Sequence, residues 1–395
     1  MLRFVWEKRH FLGLVVTRSF WHKEFGSMDV EIASIGDEVL RGLTINSNAA
    51  FLSRALTERG YTVRRHIVLP DDVEAIRQGL QEAMRRSAVV IASGGLGPTL
   101  DDLTRVATEP LFTEKPLELK NRLGTALGVW SRGLILLPGI PREMEWMFQE
   151  EVSPLLQMHY PLEKKMFFRR CTLCLLREDE VDLLLRQLRT DDLEIGIYPT
   201  YGSLQIVFRS PHSVDGLVQK VQEKFPTFFI GEGKVEEAVH REMIGRKKTL
   251  CLAESCTGGA IAARLTAISD ASLFFSGSVV AYSNLWKERF LSVRHDTLLK
   301  HGAVSRETIE EMVRGLFEAT ECDYAIAVSG ILGPKGGTLQ KPIGTVFIGI
   351  AKRKETLDVG HLMVPNDRSA GIEFTVQTAL GALWRRIVHN TATFS

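Results

Sequence analysis

Ser255, Cys256 and Thr257 follow the apolar run TLCLA and Glu254, and precede Gly258, Gly259 and an apolar pattern at helical spacing. The segment reads as a strand turning into a helix. A hydroxyl or thiol at such a turn lies beside helix N–H groups that have no partner within the helix. Two readings stay open: Ser255 or Thr257 caps the helix, or Ser255 is a nucleophile whose oxyanion those N–H groups hold. A nucleophilic hydroxyl needs a base, and no His/Asp pair stands near the neighbouring strand ends. GSVVAYSNLWKERF supplies another candidate, a strand to Tyr282 and then a helix carrying Lys287. A lysine withdrawn from water loses its proton more readily, although taken alone Lys287 reads as a solvated helix face. Cys256 is the rival nucleophile, ranked lower because Cys251 of the same strand reads as small apolar filler. A third loop, in AVSGILGPKGGTLQKPIGTV, sets glycines and Lys335 after a buried strand. It suits a phosphate or carboxamide, or else is a flexible hairpin-like connection.

A second cluster is SGGLGPTLDDLTR. Gly94, Gly95 and Gly97 let backbone approach a ligand, and their N–H groups with those after Thr99 favour an anion. Asp101 and Asp102 could hold a divalent metal, Mg²⁺, Co²⁺ or Mn²⁺, beside a polyphosphate; the plainer reading is a tight turn with Asp as helix cap. Gly36–Asp37–Glu38 and Leu137–Pro138–Gly139 end other strands.

These loops need a scaffold that presents strand ends. From Met28, DVEIASIG, NSNAAFLSRALTERG, YTVRRHIVL, PDDVEAIRQGLQEAMRRS and AVVIAS alternate strand and helix. That alternation predicts a doubly wound α/β domain over residues 28–160, with functional loops at the strands' carboxyl ends. Residues 161–231 read as a small α+β module in the order βαββα. From residue 232 to 395 a charged helix introduces a second α/β pattern, with strands at TLCLA, GSVVAYS, YAIAVSG and GTVFIGIA. Residues 1–27 mix basic and aromatic types around FLGLVV and are expected to be a disordered or untranslated extension.

Bulk properties narrow the classes. At 395 residues, with 45% hydrophobic and 25% charged residues, several soluble domains are expected. A net charge of +1 offers no general attraction to nucleic acid or membrane. Five cysteines do not form a disulfide framework and fit the cytoplasm. Cys171 and Cys174 form a CxxC inside a strand-like run with no second pair, and read as filler.

IGDEVLRGLTINSNAAFLSRAL, VVIASGGLGPTLDDLTR and LPGIPREMEWMF resemble the amino-terminal domain of the CinA family, which shares its fold with molybdopterin-binding proteins. The resemblance implies a nucleotide pocket with metal-dependent ADP-ribose pyrophosphatase activity, lined by Asp37, Asn48, Gly94, Gly95, Gly97, Thr99, Asp101, Asp102 and Gly139. The chain departs from the family in running directly from Glu109 to NRLGTALG, with Leu127 where a proline is usual.

AESCTGG, the VVAYSN segment with Lys287, GAVS, SGILGPKGG and KPIGTV resemble the carboxy-terminal CinA domain of the nicotinamide mononucleotide deamidase type. The resemblance implies metal-free hydrolysis of a carboxamide to a carboxylate with release of ammonia. Ser255 is the implied nucleophile, Lys287 its base, and Tyr282 orients or shares the proton. The amides around Thr257 to Gly259 would hold the oxyanion. Glu254, Thr257, Gly258, Gly259, Asn284, Ser329, Gly330, Gly333, Gly336, Gly337 and Arg368 would contact substrate. Leu332, Ser278 and Ile372 stand where alanine, glycine and arginine are usual. A homodimer acting on a small nucleotide is implied. Ile372 and the short amino-terminal segment leave a second expectation, a nucleotide-binding or regulatory protein with weak turnover or none.

Overall fold

The computed structural model describes residues 29–100, 102–162, 165–391 and 394. The 1–27 extension and Met28 lie outside the described residues. The chain divides into two compact units, Met1–Met166 and Phe167–Ser395.

The first unit runs β1 (Asp29–Ile35), α1 (Asp37–Leu40), α2 (Ser47–Glu58), β2 (Thr62–Leu69), α3 (Val73–Arg86), β3 (Val89–Ser93), α4 (Thr104–Thr108), β4 (Leu117–Leu119), β5 (Gly128–Ser131), β6 (Leu134–Leu137), α5 (Pro141–Met147) and α6 (Ser153–His159). Its sheet has the order β2-β1-β3-β6-β5-β4. The first four strands are parallel, which requires crossovers, and β5 and β4 add an antiparallel edge. Successive side chains of β3 face opposite layers. Val89 and Ile91 share a buried cluster with Leu52 and Leu56 of α2, while Val90 and Ala92 share one with Ile76 and Leu80 of α3. Burial on both faces is why β3 reads as an unbroken apolar run. Asn46 and Asp72 start α2 and α3 by accepting from the amides of Ala49 and Ala75.

The second unit begins with β7 (Phe167–Cys174), α7 (Glu178–Leu188), β8 (Glu194–Thr200), β9 (Ser203–Ser210), α8 (Asp215–Lys224) and β10 (Phe229–Gly231). They make an antiparallel sheet ordered β10-β7-β9-β8. The βαββα expectation thus gains β10, whose 3 residues are too few to show a period. This α+β segment belongs to the same compact unit as the rest of the chain to its carboxyl end.

There follow α9 (Val235–Gly245), β11 (Leu250–Glu254), α10 (Ala260–Thr266), β12 (Phe275–Val280), α11 (Asn284–Leu291), α12 (His295–His301), α13 (Arg306–Ala319), β13 (Tyr324–Gly330), β14 (Thr345–Lys352), β15 (Asp358–Met363) and α14 (Arg368–His389). The sheet order is β12-β11-β13-β14-β15. β12, β11 and β13 are parallel; β14 and β15 are antiparallel. Because β12 and β13 flank β11 on opposite sides, its carboxyl end opens at a topological switch point, where α/β sheets place ligands. Cys251, expected to be a filler thiol, is disulfide-bonded to Cys322. Their separation of 71 residues hides this pairing in the sequence, and the parallel register of Leu250 with Tyr324 brings the two together.

Candidate functional site

Ser255 extends β11 by one hydrogen bond, its amide donating to the Val328 carbonyl at 3.0 Å. The strand therefore carries its hydroxyl to the switch point. Lys287 lies in the first turn of α11, which Ser283 caps by accepting from the Trp286 amide at 3.3 Å. That entry turns Lys287 inward, leaving it 1% exposed where the sequence alone suggested a solvated face. Its Nζ lies 2.9 Å from Ser255 Oγ, 2.7 Å from the Ala281 carbonyl and 3.4 Å from the Tyr282 carbonyl. Burial lowers the Lys287 pKa to about 8. A neutral amine has two hydrogens; when the two carbonyls take them, its lone pair faces Ser255 Oγ.

Glu254 does not reach a ligand. It is fully buried, and its carboxylate accepts from Thr257 Oγ1 at 2.8 Å and from the amides of Gly259, Ile261 and Ala262 at 3.1, 3.1 and 3.0 Å. Ser278 Oγ adds a fifth bond at 3.2 Å. The Gly258 and Ala260 amides donate to the Ser255 and Thr257 carbonyls at 3.1 Å each. The N–H groups that open α10 are thus already satisfied, and the expected oxyanion donors at Gly258 and Gly259 are taken. Among the described residues, the amides of Cys256 and Thr257 donate to no backbone carbonyl, and the Cys256 amide lies against its own Sγ. The Cys256 side chain turns into the apolar cluster of Leu252, Val328 and Leu332, and burial pushes its thiol pKa up to about 12. Gly330 makes room for it: a Cβ there would lie 3.0 Å from Cys256 Sγ and 2.7 Å from Val346 Cγ2.

Tyr282 meets Lys287 through its carbonyl and not its phenol, whose oxygen accepts from Arg368 at 2.7 Å. Arg368 also donates to the Gly333 carbonyl at 2.9 Å, so one guanidinium ties the Tyr282 and glycine-rich loops to the start of α14. Ser329 Oγ donates to the Ala303 carbonyl at 2.7 Å. Asn284 is exposed on the outer side of α11's first turn, and Lys335, Gly336 and Gly337 lie on the exposed part of the β13–β14 hairpin loop. Lys341, which sequence reasoning passed over, fastens that loop by donating to the His301 carbonyl at 2.6 Å. Ile372 packs against the cluster holding Leu332 and Val364.

In the first unit the structure brings together Asn48, Gly94 and Gly139. Asn48 donates to the Gly139 carbonyl at 2.8 Å, and a Cβ at Gly139 would lie 3.4 Å from the Gly94 Cα. Gly94 itself has φ +114°, and a Cβ would sit 2.0 Å from the Ile35 carbonyl oxygen, so only glycine fits. Asn48 Oδ1 is buried without a hydrogen-bond partner. Gly97, Thr99 and Asp102 instead close on themselves, the Thr99 amide donating to Asp102 Oδ2 at 2.8 Å. Burial opposes ionisation of Asp102, but the Thr99 hydroxyl and the Thr99 and Gly97 amides hold its carboxyl below the usual range. Gly95 accepts from the Thr104 amide at 3.0 Å. Asp37 pairs with Arg41, and its amide donates to Asp71 at 2.9 Å. Asp101 lies outside the described residues. Among the described residues no three acidic, imidazole or thiol groups converge.

Residues 232–387 match the family model described as the CinA C-terminal domain, and residues 31–158 match that of a probable molybdopterin binding domain. A CinA-like protein of Amoebophilus asiaticus is 31% identical, covering 91% of this chain and 99% of its own. A putative competence-damage inducible protein of Halothermothrix orenii is 32% identical over 91% of this chain and 98% of its own. The crystal structure of a competence-damaged protein (CinA) superfamily protein from Klebsiella pneumoniae shares 36% identity, covers 39% of this chain and 96% of its own, and has a TM-score of 0.38.

Proposed function

The chain belongs to the CinA family, and we propose that its carboxy-terminal domain hydrolyses the carboxamide of nicotinamide mononucleotide. The observation that carries this reading is the buried 2.9 Å contact between Lys287 Nζ and Ser255 Oγ. Neutral Lys287 takes the Ser255 proton as Oγ attacks the carboxamide carbon, and the oxyanion receives the amides of Cys256 and Thr257. Lys287 returns the proton to the leaving nitrogen, ammonia departs, and an ester on Ser255 remains. Water, deprotonated by Lys287, hydrolyses the ester to the carboxylate and free serine. Arg368 is placed to meet an anionic group of the substrate once it leaves Tyr282.

The test is ammonia release from nicotinamide mononucleotide. Wild type is expected to be active, Ser255→Ala inactive and Cys256→Ala active. Full activity in Ser255→Ala overturns the mechanism. For the amino-terminal domain we propose a nucleotide pocket at Asn48, Gly94 and Gly139, supported by the orphaned Asn48 Oδ1, which calls for a hydroxyl or amine donor on a ligand. Equilibrium dialysis with ADP-ribose tests it; equal binding to wild type and Asn48→Leu removes it.

A further inference from the structure

Glu254 is the buried carboxylate that the reaction above leaves without a chemical role. It precedes the proposed nucleophile, is fully buried, and spends both oxygens on five donors drawn from three places: the Thr257 hydroxyl, the first turn of α10, and Ser278 of the neighbouring β12. A helix N-terminus attracts anions, and here the chain's own carboxylate fills that position. Two consequences follow for the turn. An incoming oxyanion cannot use the opening amides of α10, so it is directed to the amides of Cys256 and Thr257. The turn that carries Ser255 is also clamped at both ends, to β12 through Ser278 and to α10 through Ile261 and Ala262.

We infer that Glu254 is a positioning residue for the proposed amidase centre, an internal anion that locks the Ser255–Gly259 turn so that the Cys256 and Thr257 amides face the oxyanion. The inference rests on the reading of Ser255 as nucleophile. A cap serving stability alone would need only the α10 amides. The bond from Ser278 couples the turn to the strand that leads to Lys287. Ser278→Ala should therefore affect the rate although Ser278 touches neither reacting group.

The test uses the full-length protein with two readouts. One is steady-state ammonia release; the other is the rate of Ser255 sulfonylation by phenylmethylsulfonyl fluoride, which requires the nucleophile but not the natural substrate. Glu254→Gln keeps the shape but offers an N–H to amides that need an acceptor. A displaced turn lowers kcat and the sulfonylation rate by about 10²-fold with KM little changed. Its far-UV circular dichroism should match wild type. Unchanged rates in folded Glu254→Gln overturn the inference while leaving the Ser255 mechanism standing. If Glu254→Gln does not fold, Ser278→Ala decides: a fall of about threefold or more in both rates at an unchanged melting midpoint supports positioning, and wild-type rates refute it. Wild-type protein that neither releases ammonia nor is labelled at Ser255 fails the underlying reading instead.

Discussion

Lys287→Met removes the charge of the proposed base while nearly keeping its length, and should lower activity while raising stability. Moving this amine from its ordinary 10.5 to about 8 disfavours the folded state near pH 7 by about 3 kcal/mol, since each unit is about 1.4 kcal/mol. Between those two values the unfolded chain holds the proton that the folded chain has released. Wild-type stability therefore rises with pH across that window, and the full penalty applies below about pH 8. Methionine lifts the penalty but leaves the buried Ala281 carbonyl without its donor at 2.7 Å, a loss of about 1–2 kcal/mol. The balance is a gain of about 1–2 kcal/mol near pH 7 that vanishes or reverses near pH 10, where little of the penalty remains. Urea unfolding of both proteins at the two pH values measures it. Ammonia release should fall by about 10²–10⁴-fold. In the wild type, release should climb with pH to half its plateau near pH 8, as the amine becomes neutral. A variant equally destabilised at both pH values would refute the account of Lys287 as a desolvated amine.

Other residues give independent checks. Cys256→Ser buries a hydroxyl in an apolar cluster and should lower stability by about 1–3 kcal/mol, while ammonia release persists if Ser255 is the nucleophile as proposed. In Gly330→Ala the new methyl meets Val346 and Cys256 at 2.7 and 3.0 Å, and unfolding should shift by about 1–3 kcal/mol, read by denaturant titration. Arg368→Met should raise KM about tenfold with kcat nearly constant, as expected for loss of a charge-assisted contact. A fall in kcat at unchanged KM would instead give Arg368 a part in the chemical step.

Local periodicity made much of this molecule legible. β3 is apolar throughout because both its faces are covered, and α3 announces itself through the Asp72 cap, an amphipathic middle and Arg85 and Arg86 in the last turn. β10 and β15 escaped notice, one through its brevity and the other because only Gly360 of its six residues is buried. The glycines at positions 94 and 330 could be recognised as places of close approach, but what they approach lies far along the chain.

The sequence alone determined two α/β patterns around an α+β segment, the strand ends that carry the candidate loops, and the pairing of Ser255 with Lys287 as a hypothesis. Tertiary structure decided everything that depends on groups distant in sequence. It buried Lys287 against the Ala281 carbonyl, gave the α10 amides to Glu254, turned Cys256 into the core and moved the Tyr282 phenol to Arg368. The physical reason is that propensity and period are properties of a few consecutive residues. Desolvation and hydrogen-bond competition depend on which other segments arrive at the same point in space, and there they settle whether a lysine stays a solvated cation or is withdrawn from water.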